Sequence, residues 1–126
     1  MAYQEHRGRH SFPKSVSFAI SGIAASFREK HIRVHYFISA LVIAGGIFFR
    51  LTITEWILAL SCIAGVIALE MVNTAIERTV DLVTGEYHPL ARQAKDIAAG
   101  AVLIYSIYSV VVGFILFGPK LLSLFH

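Results

Sequence analysis

Glu70-Met-Val-Asn73-Thr-Ala-Ile-Glu77-Arg-Thr-Val-Asp81 closes an apolar run that begins at Trp56, and this stretch decides how the chain is read. At 100° per residue, Glu70, Asn73, Glu77 and Asp81 fall at about 0°, −60°, −20° and +20° around a helix, one wedge of about 80°. Three carboxylates and an amide this close together in an apolar setting repel one another and resist desolvation unless a cation neutralises them. Mg2+ suits such a face, because it takes hard oxygen ligands and usually arrives with phosphates. The plainer alternative is a solvated polar end on a membrane helix.

The rest of the chain sets the wedge in a membrane. Hydrophobic residues make up 56% and charged residues 15% of the sequence, and the mean hydropathy is +0.68, whereas a soluble domain carries about 25% charged residues. Apolar runs cover Val34 to Phe49, interrupted only by His35; Trp56 to Leu69, continuing through the wedge to Val83; and Ala98 to Gly118. A hydrocarbon core of ~30 Å needs about 20 residues of helix, which the third run supplies outright and the first supplies if Arg33 snorkels. The expected fold is an all-α membrane protein: transmembrane helices over 32–50, 54–83 and 92–118, preceded by a poorly ordered basic arm over 1–12 and a surface helix over 13–29. Val16, Ile20, Ile23 and Phe27 recur at helical spacing in that last segment and suggest an amphipathic face. No cleavable signal peptide is expected, since some thirty mixed residues precede the first apolar run.

Arg7, Arg9, Lys14, Arg28, Lys30 and Arg33 precede the first span and Arg78, Arg92 and Lys95 flank the loop after the second, against Arg50 and Lys120 on the opposite side. The positive-inside rule then puts the N-terminus and the Thr84–Ala94 loop in the cytoplasm. Measured from Trp56, Glu70 lies ~21 Å along the helix and Glu77 ~32 Å, so the wedge straddles the inner interface. The net charge of +3 suits an anionic leaflet better than nucleic acid, because the basic residues flank membrane segments and no nucleic-acid motif occurs. Cys62 is alone, without a disulfide or metal partner, and reads as packing. Ala98-Ala99-Gly100-Ala101 forms a small-residue face that permits close helix approach and also leaves room for a lipid chain. Three helices enclose little, so a second surface, supplied by oligomerisation, is needed to shield the wedge from lipid.

No Walker lysine loop and no protein-kinase signature is present. Phosphoryl transfer nevertheless asks little of a protein beyond a metal, positive charge on the phosphates and a group to take the proton of the attacking hydroxyl. The wedge, Lys95 and Glu29 offer those parts. Glu70 is the deepest carboxylate of the wedge, and a desolvated carboxylate is a better proton acceptor. Glu77, closer to the cytoplasm, is placed for metal and phosphate, and Lys95 is a point charge suited to phosphates. Plainer alternatives stand beside each role: Glu70 in a helix–helix hydrogen bond, Glu77 paired with a basic neighbour, Glu29 paired with Lys30, Lys95 snorkelling, Asp96 capping the third span and His88 as a turn residue.

Glu70-x-x-Asn73-Thr-Ala-Ile-Glu77-x-x-x-Asp81, followed by Glu86-Tyr87-His88-Pro89-Leu-Ala-x-x-Ala-Lys95-Asp96-x-Ala-Ala-Gly-Ala-Val, resembles the small prokaryotic diacylglycerol kinase family. The resemblance runs from about Glu29 to Leu121. The Glu29-x-x-x-Arg33-x-His35 segment and His88-Pro89 look more like the Gram-positive branch, which resembles undecaprenol kinases. Upstream of the surface helix the likeness fails, and neither Arg7, Arg9 nor Lys14 is assigned a role.

This resemblance implies a homotrimer in the bacterial cytoplasmic membrane that transfers the γ-phosphoryl group of ATP to a lipid hydroxyl at sites shared between subunits. It implies Glu70 as general base, Glu29 and Glu77 as Mg2+ ligands and Asn73 as a support of that cluster. Glu77, Glu86, Tyr87, His88, Lys95 and Asp96 then contact nucleotide, while Glu70 and Ala99 meet the lipid substrate. The expected acceptor is undecaprenol, with diacylglycerol as the alternative. A reading from a different class is a small oligomeric channel or transporter whose wedge binds ions in transit.

Overall fold

A computed structural model describes residues 11–126; most of the expected N-terminal arm, with Arg7 and Arg9, lies outside the described residues. The rest is helical: α1 Phe12–Ser26, α2 Lys30–Phe48, α3 Ile53–Val83 and α4 Pro89–Ser123. The last three are long enough and apolar enough to cross a membrane, and the chain is a membrane protein. α3 is the central element, packed along α4 and less extensively along α2.

Each junction has a local cause. Ser11 precedes α1 with Pro13 in its first turn, where a proline's missing N–H costs nothing. α1 is tied to α2 by the Ser26 hydroxyl, which lies 3.0 Å from the Tyr36 hydroxyl, and by Phe27 stacked on Tyr36 at a centroid distance of 4.1 Å. Val16, Ile20 and Ile23 remain exposed.

α2 stops two residues earlier than the apolar pattern suggests. Arg50 adopts φ 54, its N–H donates to the Ile47 carbonyl and the Leu51 N–H donates back to Gly46 at 3.1 Å. That is a Schellman stop with an arginine where glycine is usual. Thr52 then starts α3 with a capping box: its hydroxyl accepts from the Glu55 N–H at 3.2 Å, and the Glu55 carboxylate accepts from the Thr52 N–H at 3.1 Å. α4 begins three residues before the expected Arg92, because His88 caps it and Pro89 occupies the first turn. It also runs past Pro119 to Ser123, since a proline so near a helix end removes one backbone hydrogen bond without stopping the chain.

Close helix approach rests on two glycines. A Cβ added at Gly46 would lie 2.6 Å from the Trp56 ring, and one at Gly65 would overlap the Tyr105 ring. Tyr105 also donates from its hydroxyl to the Ser61 carbonyl at 2.9 Å, fixing α4 on α3. Near the α2–α3 turn, Leu51, Ala59 and Leu116 form a buried cluster backed by Val42, Trp56, Val112 and Phe117. A cavity of about 290 Å3 runs between α2, α3 and α4 from His35 past Ser39, Cys62 and Gly113 to Phe117. Much of the remaining apolar surface is exposed, as expected where lipid is itself an apolar solvent.

Candidate active site at the polar end of α3

The wedge sits at the end of the bundle opposite the Leu51 cluster, and the structure joins its members to other helices one by one. Glu70 meets His35 of α2, with Nε2 3.2 Å from Oε1 and side chains only 14% and 24% exposed respectively. The meeting follows from helix direction. Side chains lean toward the N-terminus of their own helix, so on antiparallel α2 and α3 His35 and Glu70 lean toward each other.

One turn on, the Asn73 amide donates to Glu77 Oε1 at 3.5 Å, while Asn73 Oδ1 is buried without a hydrogen-bond partner among the described residues. Glu29, the residue before α2, leaves its capping role unfilled and pairs instead with Arg78, the neighbour of Glu77 on α3. Among the described residues the partner of Glu29 is thus Arg78 rather than Lys30. Asp81 receives Lys95 Nζ of α4 at 2.6 Å, so Lys95 is held at the wedge rather than only anchoring a helix end.

The loop residues divide differently. His88 Nδ1 accepts the Leu90 N–H at 3.1 Å and caps α4, a structural role other than the turn residue expected. Asp96 pairs with Arg92 one turn earlier, at 3.2 Å; it lies in the second turn of α4 and caps nothing. The Thr84 hydroxyl brackets Glu86, donating to its carbonyl at 3.1 Å and accepting from its N–H at 3.2 Å. Tyr87 is 82% exposed. Among the described residues no hydrogen bond links Glu86, Tyr87 or His88 to the wedge. On the small-residue face, Ala98 is the buried member and Ala99 is exposed, so Ala99 is free of the helix contact that Ala98 makes.

Among the described residues no three His, Cys, Asp or Glu side chains converge into a preformed metal cage. Mg2+ commonly uses one or two carboxylates and completes its shell with water and substrate phosphate. The donors at this end are of that hard-oxygen kind: Glu77, Glu29 and the unpartnered Asn73 Oδ1. A buried carbonyl oxygen without a donor is costly unless something satisfies it, and a cation within its reach would. The residues present fit Mg2+.

Two contributors escaped the sequence reading. His35 was noted as the interruption of an apolar run and as the end of the Glu29-x-x-x-Arg33-x-His35 segment, without a role of its own, and Arg78 only as a flanking charge. A lone polar residue inside an apolar run was the available signal for His35; its partner could not be read without the packing of α2 on α3.

A membrane-embedded bundle with acidic and amide side chains gathered at one end is the form of a small integral-membrane enzyme. Residues 17–117 match the family model for prokaryotic diacylglycerol kinase, and the chain belongs to that family; it is a lipid kinase. It is 41% identical to the undecaprenol kinase of Bacillus subtilis over 123 residues, 96% of this chain and 100% of that protein. It is 44% identical to a diacylglycerol kinase of Synechocystis over 87% of this chain and 64% of the relative, and 34% identical to that of Haemophilus influenzae over 82% and 89%. Family membership leaves the ion-passage alternative with no observation in its favour.

Proposed function

We propose that this protein transfers the γ-phosphoryl group of ATP, as its Mg2+ complex, to the hydroxyl of undecaprenol, giving undecaprenyl phosphate. The carrying observation is Glu70: a carboxylate with a side chain 14% exposed, at the apolar side of a wedge whose other oxygens lie one to three turns further along α3. A hydroxyl that reaches only as deep as the interface meets Glu70, while the triphosphate stays with the more exposed Glu77, Asp81 and Lys95. The hydroxyl oxygen attacks the γ-phosphorus, its proton passes to a Glu70 oxygen, and the bond to the β–γ bridging oxygen breaks, releasing ADP. Lys95, kept at this end by Asp81, is drawn onto the phosphate oxygens. Glu29, Glu77 and Asn73 Oδ1 would hold Mg2+, whose charge offsets that of the phosphates. Glu86, Tyr87, His88 and Asp96 lie around the start of α4 and serve the nucleotide, and exposed Ala99 faces the lipid.

Undecaprenol is favoured by the end-to-end likeness to a protein of that name. Diacylglycerol is the second reading, supported by the family description and by the names of other relatives. The single domain sits in the bacterial cytoplasmic membrane with the wedge toward the cytoplasm, where Arg28, Lys30, Arg33, Arg78, Arg92 and Lys95 concentrate. α1 lies on that surface with Val16, Ile20 and Ile23 toward lipid. A homotrimer covers the exposed apolar faces and completes each site from a neighbour.

The test is transfer of labelled γ-phosphate from Mg-ATP to undecaprenol and to diacylglycerol by detergent-purified protein, with Glu70→Gln as the blank. Label in the polyprenol that disappears in the variant supports the proposal. Label chiefly in diacylglycerol keeps the mechanism and replaces the acceptor. Label in neither, from folded protein, overturns both.

A further inference from the structure

We infer that His35 is the positioning residue of the proton acceptor, holding the Glu70 carboxylate in the rotamer from which it can take the hydroxyl proton; the inference rests on the kinase reading above. His35 Nε2 lies 3.2 Å from Glu70 Oε1, and it is the one hydrogen-bond partner described for that carboxylate. A glutamate has three side-chain torsions, and ordering them costs side-chain entropy. The rest of the wedge leaves this to His35. Asn73, one turn on, gives its amide hydrogen to Glu77, Arg78 is engaged by Glu29, and Lys95 by Asp81.

The His35 side chain is three-quarters buried, its backbone carbonyl accepts the Ser39 hydroxyl at 2.6 Å, and the residue lines the cavity between the three long helices. A ring set this way, with Nε2–H toward Glu70, donates one hydrogen bond and leaves the second carboxylate oxygen for the substrate. Neutral imidazole suffices for that, so a side-chain amide of similar reach can replace it, whereas alanine cannot.

The experiment compares wild type with His35→Ala and His35→Gln in purified, detergent-solubilised form, measuring kcat and the KM for Mg-ATP with the lipid alcohol that the wild type phosphorylates. The expected result is a fall in kcat of on the order of tenfold to a hundredfold for His35→Ala, the size of effect a misplaced reacting group produces. The KM for Mg-ATP is expected to stay within about twofold, and His35→Gln to recover most of the lost kcat. In 15N spectra the His35 Nε2 signal of the wild type is expected to be that of a hydrogen-bonded donor and to shift in Glu70→Leu, which offers no acceptor. The inference is overturned if His35→Ala keeps full kcat, if the loss falls on KM, or if His35→Gln is as impaired as His35→Ala. Should His35→Ala not fold, His35→Gln with low kcat overturns it and with near wild-type kcat, together with the Nε2 shift in Glu70→Leu, supports it. Failure of the kinase reading looks different: the wild type itself then labels no lipid alcohol.

Discussion

The two ends of the bundle are built on opposite terms. At the α2–α3 turn, Leu51, Ala59 and Leu116 are buried together, Arg50 and Leu51 close a Schellman stop, Thr52 and Glu55 cap each other, and Lys120 of α4 reaches Glu55 at 3.0 Å. Apart from the Lys120–Glu55 pair, polar groups there are answered by neighbours in sequence, and apolar groups by one another. At the wedge, the satisfying partners come from other helices: His35 for Glu70, Glu29 for Arg78 and Lys95 for Asp81. One buried oxygen, Asn73 Oδ1, has no hydrogen-bond partner among the described residues. The first end holds the helices in register, and the second spends that register on arranging charges. Like charges on one helix face are unfavourable in an empty site, so the polar end is the less self-sufficient of the two.

The contrast can be broken from either side. The largest effect is expected from Glu70→Gln, which removes the proton acceptor while keeping the size of the side chain; transfer should fall by roughly 10²- to 10⁴-fold, read as label in lipid, with thermal stability unchanged or raised. Next comes Glu77→Gln, expected to weaken Mg2+ dependence by at least the ~10- to 100-fold typical of lesser changes around a metal, measured as the Mg2+ concentration for half-maximal rate. At the other end, Gly46→Ala puts a Cβ 2.6 Å from the Trp56 ring and should lower stability by about 1–3 kcal/mol, followed by unfolding in mixed micelles, while kcat per folded molecule is retained. The smallest is Thr52→Ala, which removes the cap of α3 for about 1 kcal/mol. A Gly46→Ala protein that keeps its stability but loses kcat would erase the division between the two ends.

The four helices and the shared face of the wedge were legible because both depend on spacing along the chain: apolar runs of spanning length, and oxygens at i, i+3 and i+7. The stops were less so. Arg50 in the left-handed region looked like a helix residue, because nothing local marks an arginine for a glycine's position. His88 looked like a turn residue or a nucleotide contact, and its ring nitrogen caps α4, which starts that helix three residues before the expected Arg92.

The sequence alone determined that this is a helical membrane protein and which face of α3 carries the carboxylates, because side-chain direction repeats every 3.6 residues whatever lies nearby. Which side chain answers each carboxylate was decided only in the tertiary structure. His35 and Glu70 are thirty-five residues apart and Glu29 and Arg78 forty-nine. They meet because α2, α3 and α4 pack in one register, set by the close approach of Gly46 to Trp56 and of Gly65 to Tyr105. A shift of one turn, about 5.4 Å, would leave every helix intact and separate Glu70 from its histidine.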